Sequence, residues 1–285
     1  MEALLAPSYT KAVTPDYFNV PRPLWRKVKK QLPKRKASKG RGRPRVNDRA
    51  ALNGIWYVLW TDCQWKAVHK SWFGVSASVL HQRFQLWQSL GVFAHLMRAV
   101  AKFYGKQQRI KWRWQAVDSK SCPAPLGGEA TGRNPTDRGK RGSKIHLLVD
   151  ARGAPLAVYV SGANQHDKWG AAELIVRIVL TRLKSKQHLC ADRGYDYPDV
   201  HATVAEEHYI AHIKHRRRRG EPVLEVFPAP GEKTHPARIW VVERTLSWLC
   251  KRRSIRVRWC KKPQNWLAFI QLAAAHILLD LAFLG

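Results

Sequence analysis

The stretch Leu189-Cys190-Ala191-Asp192-Arg193-Gly194-Tyr195-Asp196 decides how the chain reads. A short apolar run stops at an aspartate and gives way to glycine and polar residues, the pattern of a strand that delivers a carboxylate into a turn. Trp114 to Val117, closed by Asp118, repeats that pattern. Working outward, Ile145 to Val149, Leu156 to Val160 and Tyr209 to Ile213 are further apolar or β-branched runs, whereas Lys168 to Leu183 and Pro198 to Glu207 read as helices. This order predicts an α/β (α+β) fold with a mixed five-stranded sheet flanked by helices.

Acids are scarce enough to weigh singly. The 285 residues carry 51 Lys+Arg against 20 Asp+Glu, a net charge of +31. Such an excess points to a polyanionic partner, nucleic acid before a membrane surface, and the 45% hydrophobic content excludes disorder throughout. No acid occurs between residues 63 and 117 or between 244 and 279. On a surface that holds a polyanion, a retained carboxylate repels the ligand unless a cation lies between them. Asp118, Asp192 and Glu243, the last inside the apolar run Trp240-Val241-Val242-Glu243, share a setting at or within an apolar element. Brought together they would repel by roughly 4 kcal/mol per pair at about 4 Å and an effective dielectric near 20. A hard divalent ion, Mg²⁺ or Mn²⁺, relieves that repulsion and bridges to phosphate, and two such ions suit in-line attack at a phosphodiester. The other acids have local explanations: Asp150 as a hairpin-turn residue, Asp167 as N-cap of the helix at Lys168, Asp196 and Asp199 as caps beside Pro198.

The N-terminal third reads differently. Pro21 to Arg49 holds thirteen Lys/Arg and one acid among Pro and Gly, the composition of a basic, poorly ordered connector. Within it, Arg41-Gly42-Arg43-Pro44-Arg45 has the shape of a minor-groove-binding hook or of a linker that touches only phosphates. From Asp48 apolar residues recur at helical spacing, and Gly74-Val75-Ser76 offers an N-cap for a second helix from Ala77 to Leu90, closed by Gly91. A small helical bundle or a helix-turn-helix fits; in the second, Ser78, His81, Gln82, Arg83 and Gln85 face a DNA groove. The expected organisation is a basic segment over 1–47, a helical DNA-binding domain over 48–108 and a catalytic domain over 109–285 with a basic loop near 214–238, including Arg216 to Arg219. Trp266 to Leu284 is nearly long enough to cross a membrane, but Gln271, His276 and Asp280 interrupt it, so it is expected to be a buried helix. Five scattered cysteines without a C-x-x-C pair support neither a disulfide framework nor a zinc ribbon. With no basic region ahead of a long apolar run near Met1, no export is expected, and the cysteine pattern fits a reducing cytosol.

At these residues the sequence resembles the DDE transposases of bacterial insertion sequences, specifically insertion-sequence family five. The carriers are Asp48 to Ile55, Gly127-Gly128-Glu129 through Asn134 to Lys144, Ser161-Gly162-Ala163-Asn164, Cys190 to Asp196, and Val241-Val242-Glu243-Arg244-Thr245 with Ser247-Trp248-Leu249. The resemblance implies an RNase H-like catalytic domain in which Asp118, Asp192 and Glu243 are the metal-binding catalytic triad for two Mg²⁺ or Mn²⁺ ions. It implies double-stranded DNA partners, the element's terminal inverted repeats and target DNA, and at least a homodimer on DNA. Basic residues commonly flank the family's glutamate; here Arg238 precedes it and Arg244, Lys251 and Arg252 follow, one register away from a sister group's tyrosine-arginine-glutamate-lysine pattern. The candidate DNA contacts are therefore Arg41, Arg43, Arg45, His81, Arg83, Lys140, Arg141, Lys144, Arg238, Arg244, Lys251 and Arg252, with Gly139 to Lys144 read as a phosphate-holding loop. Tyr195, Trp248 and Trp259 are expected to pack in the core. The alternatives are a DNA-binding protein without catalysis and a general RNase H-like nuclease that nicks without joining.

Overall fold

The computed structural model describes residues 18–34, 45–108, 110–215 and 238–284. Arg41, Arg43 and the run Arg216 to Arg219 lie outside them. The described residues form two compact units, divided between Val92 and Phe93.

The first unit is helical: α1 (Arg22–Lys29), α2 (Asp48–Thr61), α3 (Lys70–Phe73) and α4 (Ala77–Ser89). Helix α1 corrects the expectation of an unstructured connector over Pro21 to Arg49. Pro21 sits at its N-cap, and Leu24 and Val28, four residues apart, bury one face while Arg26, Lys27 and Lys29 load the last turn, where cations suit the helix dipole. Asn47 caps α2 by accepting from the backbone N–H groups of Arg49 and Ala50. Gly54 lets α2 approach α4, since a Cβ there would lie 2.6 Å from a methyl group of Leu80. Ser76 occupies the N-cap of α4 without a side-chain bond, and Gly91 follows that helix at φ +67°, as a closing glycine should.

The second unit begins with α5 (Val92–Gln108), so the division falls ahead of the 108/109 boundary expected from sequence. The strands β1 (Trp114–Pro123), β2 (Gly132–Arg133), β3 (Arg141–Asp150), β4 (Pro155–Gly162), β5 (Gln187–Ala191) and β6 (Tyr209–Ile213) form one mixed sheet. Its main order is β4-β3-β1-β5-β6, with two-residue β2 beside β3; β1, β3 and β4 run antiparallel, β5 and β6 parallel to β1. This is the RNase H-like arrangement expected from sequence, with one added strand. Helices α6 (Lys168–Val176), α7 (Pro198–Glu206), α8 (Ile239–Cys250), α9 (Arg253–Arg256) and α10 (Pro263–Leu284) complete the unit. Val117, Leu148, Leu156, Leu174, Leu189, Val204 and Tyr209 share one buried cluster under α6 and α7, while α8 packs on β1 and β3 and α10 on β4.

Helix α6 stops seven residues short of the expected Leu183. Beyond it the chain leaves the helix, and the Val179 N–H bonds to Leu156 O of β4 rather than to a helical carbonyl. Helix α10 is long and apolar enough to cross a membrane, yet Trp266, Ile270, Leu272, Ala274 and Leu278 are fully buried inside the unit.

Candidate active site

Strand pairing places the first two acids. Ala116 of β1 is opposite Cys190 of the parallel β5, so two residues further on Asp118 and Asp192 emerge side by side at the carboxyl end of the pair. Contrary to the expectation that Asp118 closes its strand, β1 continues to Pro123, held beyond Ala116 by β3 alone. Beyond β5 the chain turns at once: Asp192 Oδ1 accepts from the Gly194 N–H at 2.8 Å, and a Cβ on Gly194 would lie 2.9 Å from that oxygen. Glu243 arrives on α8, whose Val241, Val242, Thr245, Leu246 and Leu249 are buried while Glu243 itself is exposed. The helix is pinned to the β3–β4 hairpin, because Thr245 Oγ1 donates to Gly153 O and the Arg244 guanidinium donates to Arg152 O. Asp150 anchors that hairpin as expected, accepting from the Arg152 and Ala154 N–H groups, and it also accepts from the Tyr104 hydroxyl.

Asp192, Glu243 and Asp167 each lie within electrostatic reach of Asp118. Burial first, then the charges of Asp192, Glu243 and Asp167, push the Asp118 carboxyl up to about 7, against a backbone hydrogen bond from Ser119 that favours its ionised form. Tyr195 is buried beneath the site, as expected; burial and the charges of Asp118, Asp167 and Asp192 push its phenol up. Among the described residues, no three His, Cys, Asp or Glu side chains stand close enough together to hold one ion as placed. Asp118 and Asp192 each spend an oxygen on a backbone N–H, which leaves further lone pairs on each carboxylate. The donor set is all oxygen and mutually repulsive, which suits a hard divalent cation.

Asp167 is the functional candidate that sequence reasoning missed. It makes no capping bond to α6. Its Oδ1 accepts from Ser119 Oγ at 2.6 Å and from Lys144 Nζ at 2.8 Å. Burial opposes its ionisation, but those two hydrogen bonds hold it below the usual carboxylate range. A carboxylate after His166 at a helix start reads as a cap in one dimension; only the long-range pairing of β1 and β3 shows its partners. Asp196 likewise is no cap, since it takes His201 and His215 as partners. Asp199 lies in the first turn of α7 rather than at its N-cap, where its carboxylate accepts from the Val200 N–H at 3.2 Å and from Lys168.

Several expected DNA contacts are committed elsewhere. Arg83 is 8% exposed and pairs with buried Asp48, so it does not face a groove. Lys144, 8% exposed, is spent on Asp167 and Gln165 O. Arg252, 4% exposed, donates to Trp248 O and meets His276 Nδ1. Arg244 lies over the rings of Trp240 and Trp248, and Arg238 over Trp114. The expected phosphate loop is partly strand, because Gly142, Ser143 and Lys144 are buried in β3. Lys140 and Arg141 remain exposed beside a tight turn in which Asn134 O accepts from the Asp137 and Gly139 N–H groups. Arg45, His81 and Lys251 are exposed. Trp248 is half-buried, whereas Trp259, expected in the core, is 47% exposed.

Family models match both the N-terminal and the C-terminal parts of the chain. Residues 20–97 match a putative transposase of the IS4/5 family, and residues 113–278 match a transposase DDE domain. A putative transposase for insertion sequence element IS402 of Burkholderia cepacia is 34% identical over 161 residues, 53% of this chain and 69% of that protein. An uncharacterized 16.2 kDa protein of insertion element IS402 from the same organism is 32% identical over 114 residues, 39% of this chain and 78% of that protein. A solved pre-cleavage Mos1 transpososome is 9% identical, covering 87% of this chain and 80% of that one with a TM-score of 0.32. The chain belongs to the DDE transposase family of bacterial insertion sequences.

Proposed function

We propose that the protein binds the terminal inverted repeats of its own element, hydrolyses the element ends to expose 3′-OH groups and joins those ends to target DNA. The observation that carries this reading is the meeting of charges from three separate elements: Asp192 after β5 and Glu243 on α8 both bear on half-buried Asp118 of β1. In a chain of net charge +31, such a concentration of acid has a physical rationale when a divalent cation joins it to phosphate. Asp118, Asp192 and Glu243 would hold Mg²⁺ or Mn²⁺, two ions in all. Bound there, the metal would activate water or a 3′-OH for attack at phosphorus and stabilise the leaving oxygen.

The remaining roles fall to the chain itself. Ser119 and Lys144 hold Asp167 next to Asp118, fixing the middle of β1 from the α6 side. Exposed Lys140, Arg141 and Lys251, with Arg253 and Arg256, supply cations for phosphates around the acids. Arg45 and His81 are the remaining described candidates for contacts in the helical unit. Acting on two ends together calls for at least two copies on DNA.

The test is a strand-joining reaction. Purified protein is incubated with Mg²⁺, a target plasmid and labelled duplexes bearing an element end with a free 3′-OH. Covalent joining of the label to plasmid is expected. Nicked plasmid without joined label would favour the general nuclease, and binding without any cleavage would favour the non-catalytic reading.

A further inference from the structure

The segments that follow β4 and β5 carry an aromatic and cationic cluster that the three acids leave unused. Strands β1 and β4 both run antiparallel to β3, and β5 runs parallel to β1, so all three point the same way. The segments leaving β4 and β5 therefore open at the end of the sheet where Asp118 and Asp192 emerge. The first supplies His166, Lys168 and Trp169, the second Tyr197. Lys168 Nζ lies 4.4 Å from the centre of the Trp169 ring and 5.2 Å from that of Tyr197, and its ion pair with Asp199 at 2.9 Å holds it there. The Lys168 N–H donates to His166 Nδ1, and His166 Nε2 is hydrogen-bonded to the Tyr197 hydroxyl at 3.1 Å. The rings of His166 and Tyr197 meet edge to face, 5.0 Å apart. Isolated exposed apolar residues are ordinary on a protein surface, but Trp169 is 53% exposed within a fixed set of aromatic and cationic groups. Asp167 ties this set to the acids: it stands just ahead of Lys168 at the start of α6, and its Oδ1 accepts from the hydroxyl of Ser119, the residue after Asp118.

We propose that the Trp169 indole is a stacking platform for an unpaired nucleobase of the DNA strand that passes the acids. The ligand class follows from the chemistry of the cluster. Every base has a π-face that stacks on an open indole whatever its identity, and a base paired inside a duplex keeps that face covered. The Lys168 ammonium orders the ring before DNA arrives, which lowers the entropy cost of stacking on its open side. The carboxylate in the set, Asp199, is matched by Lys168, so its charge is offset where a strand would lie. That the strand passes the acids rests on the proposed function; that the indole takes an unpaired base does not.

The full chain is titrated with a pre-cut element end bearing a free 3′-OH, whose 5′ strand runs on by a few unpaired nucleotides with 2-aminopurine among them, and with the same end made blunt. No target DNA is added, so the end is not consumed. For the native chain, the unpaired extension should tighten the complex and the 2-aminopurine emission should fall on binding. Trp169→Ala should bind the extended end about 5- to 100-fold more weakly, hold the blunt end within about twofold of the native chain and lose the quenching. Trp169→Phe should restore much of the affinity for the extended end. Because the indole is exposed, the circular dichroism and urea midpoint of both variants should match those of the native chain. The proposal fails if Trp169→Ala holds the extended end as tightly as the native chain, if it loses both ends equally, or if the quenching persists without the indole. If the native chain binds element ends no better than unrelated duplexes, the proposed function falls, while the contrast between extended and blunt ends still decides the platform.

Discussion

Arg258 should be among the most costly residues to replace in the second unit, although it touches none of the acids. Its side chain is 0% exposed and has no carboxylate partner among the hydrogen bonds that hold it. Its guanidinium donates instead to the carbonyls of Glu129, Ala130, Cys260 and Lys261 and to Ser143 Oγ, at 2.6–2.9 Å. Its own N–H donates to Pro123 O at 2.8 Å, so one residue joins the end of β1, the 129–130 turn, β3 and the approach to α10. Arg258→Met keeps much of the volume and strands four carbonyls and a hydroxyl. At about 1–3 kcal/mol for each buried acceptor left unmade, even two orphans cost about 2–6 kcal/mol, and the relief of no longer burying a cation trims that only partly. A net loss of about 3–5 kcal/mol lowers Tm by about 2–4 °C per kcal/mol in a unit of this size. Arg258→Lys keeps the charge but has three donors and no planar fork, so it should recover less than half of the loss. Urea and thermal unfolding of the full chain, followed by circular dichroism, read both variants. A Met variant within about 1 kcal/mol of the native chain, or a Lys variant equal to it, would show that the guanidinium fork does not hold these segments together.

Other outcomes follow from the same structure. Gly128 sits at φ +106°, and a Cβ there would lie 2.3 Å from Lys261 O, so Gly128→Ala should cost about 2 kcal/mol or more, read as a lowered urea midpoint. Arg83→Met takes away the buried partner of Asp48, leaving the longer 3.6 Å pair with exposed Arg45, and should cost about 1.5–3 kcal/mol in the helical unit, while Asp48→Asn together with Arg83→Met should recover part of that loss. Burial drives His146 down to about 4. The unfolded chain takes up this proton near pH 6.5 and the folded one only near 4, so stability is full above 6.5 and falls as pH drops between them. The loss should be about 2 kcal/mol from pH 7 to 5, and a His146→Gln variant should lose that much less over the same interval. Lys140→Ala should weaken binding to any duplex and lower the slope of log affinity against log salt by about 1 if the side chain meets a phosphate.

The five longer strands are legible because each carries an apolar run bounded by turn residues, whereas two-residue β2 carries none. Asp118 and Asp192 were legible for the same reason: the residue two positions past a parallel pair lies at the sheet's open end. Cations were harder. Arg83, Lys144 and Arg252 look in sequence like any surface base, and their burial depends on Asp48, Asp167 and His276, which are 23 to 35 residues away. Charge also hid α1, since Leu24 and Val28 are only two apolar positions in a strongly basic segment, yet two residues one turn apart suffice to bury a short helix face. Asp167 stays hidden in the sequence because a cap and a long-range hydrogen-bond partner share the same residue type at the same helix start.

If Asp118, Asp192 and Glu243 form one metal-dependent phosphodiester site, each carboxylate is needed for cleavage and none for holding DNA. The direct measurement is Mg²⁺-dependent cleavage of a labelled element end by the native chain and by Asp118→Asn, Asp192→Asn and Glu243→Gln, with DNA affinity measured alongside. Each variant should lose cleavage by at least about a hundredfold while still binding DNA, because removing one charged oxygen ligand disables a site that acts as a unit. Cleavage at the native rate in any of the three, or in the native chain with the metal chelated, would contradict it.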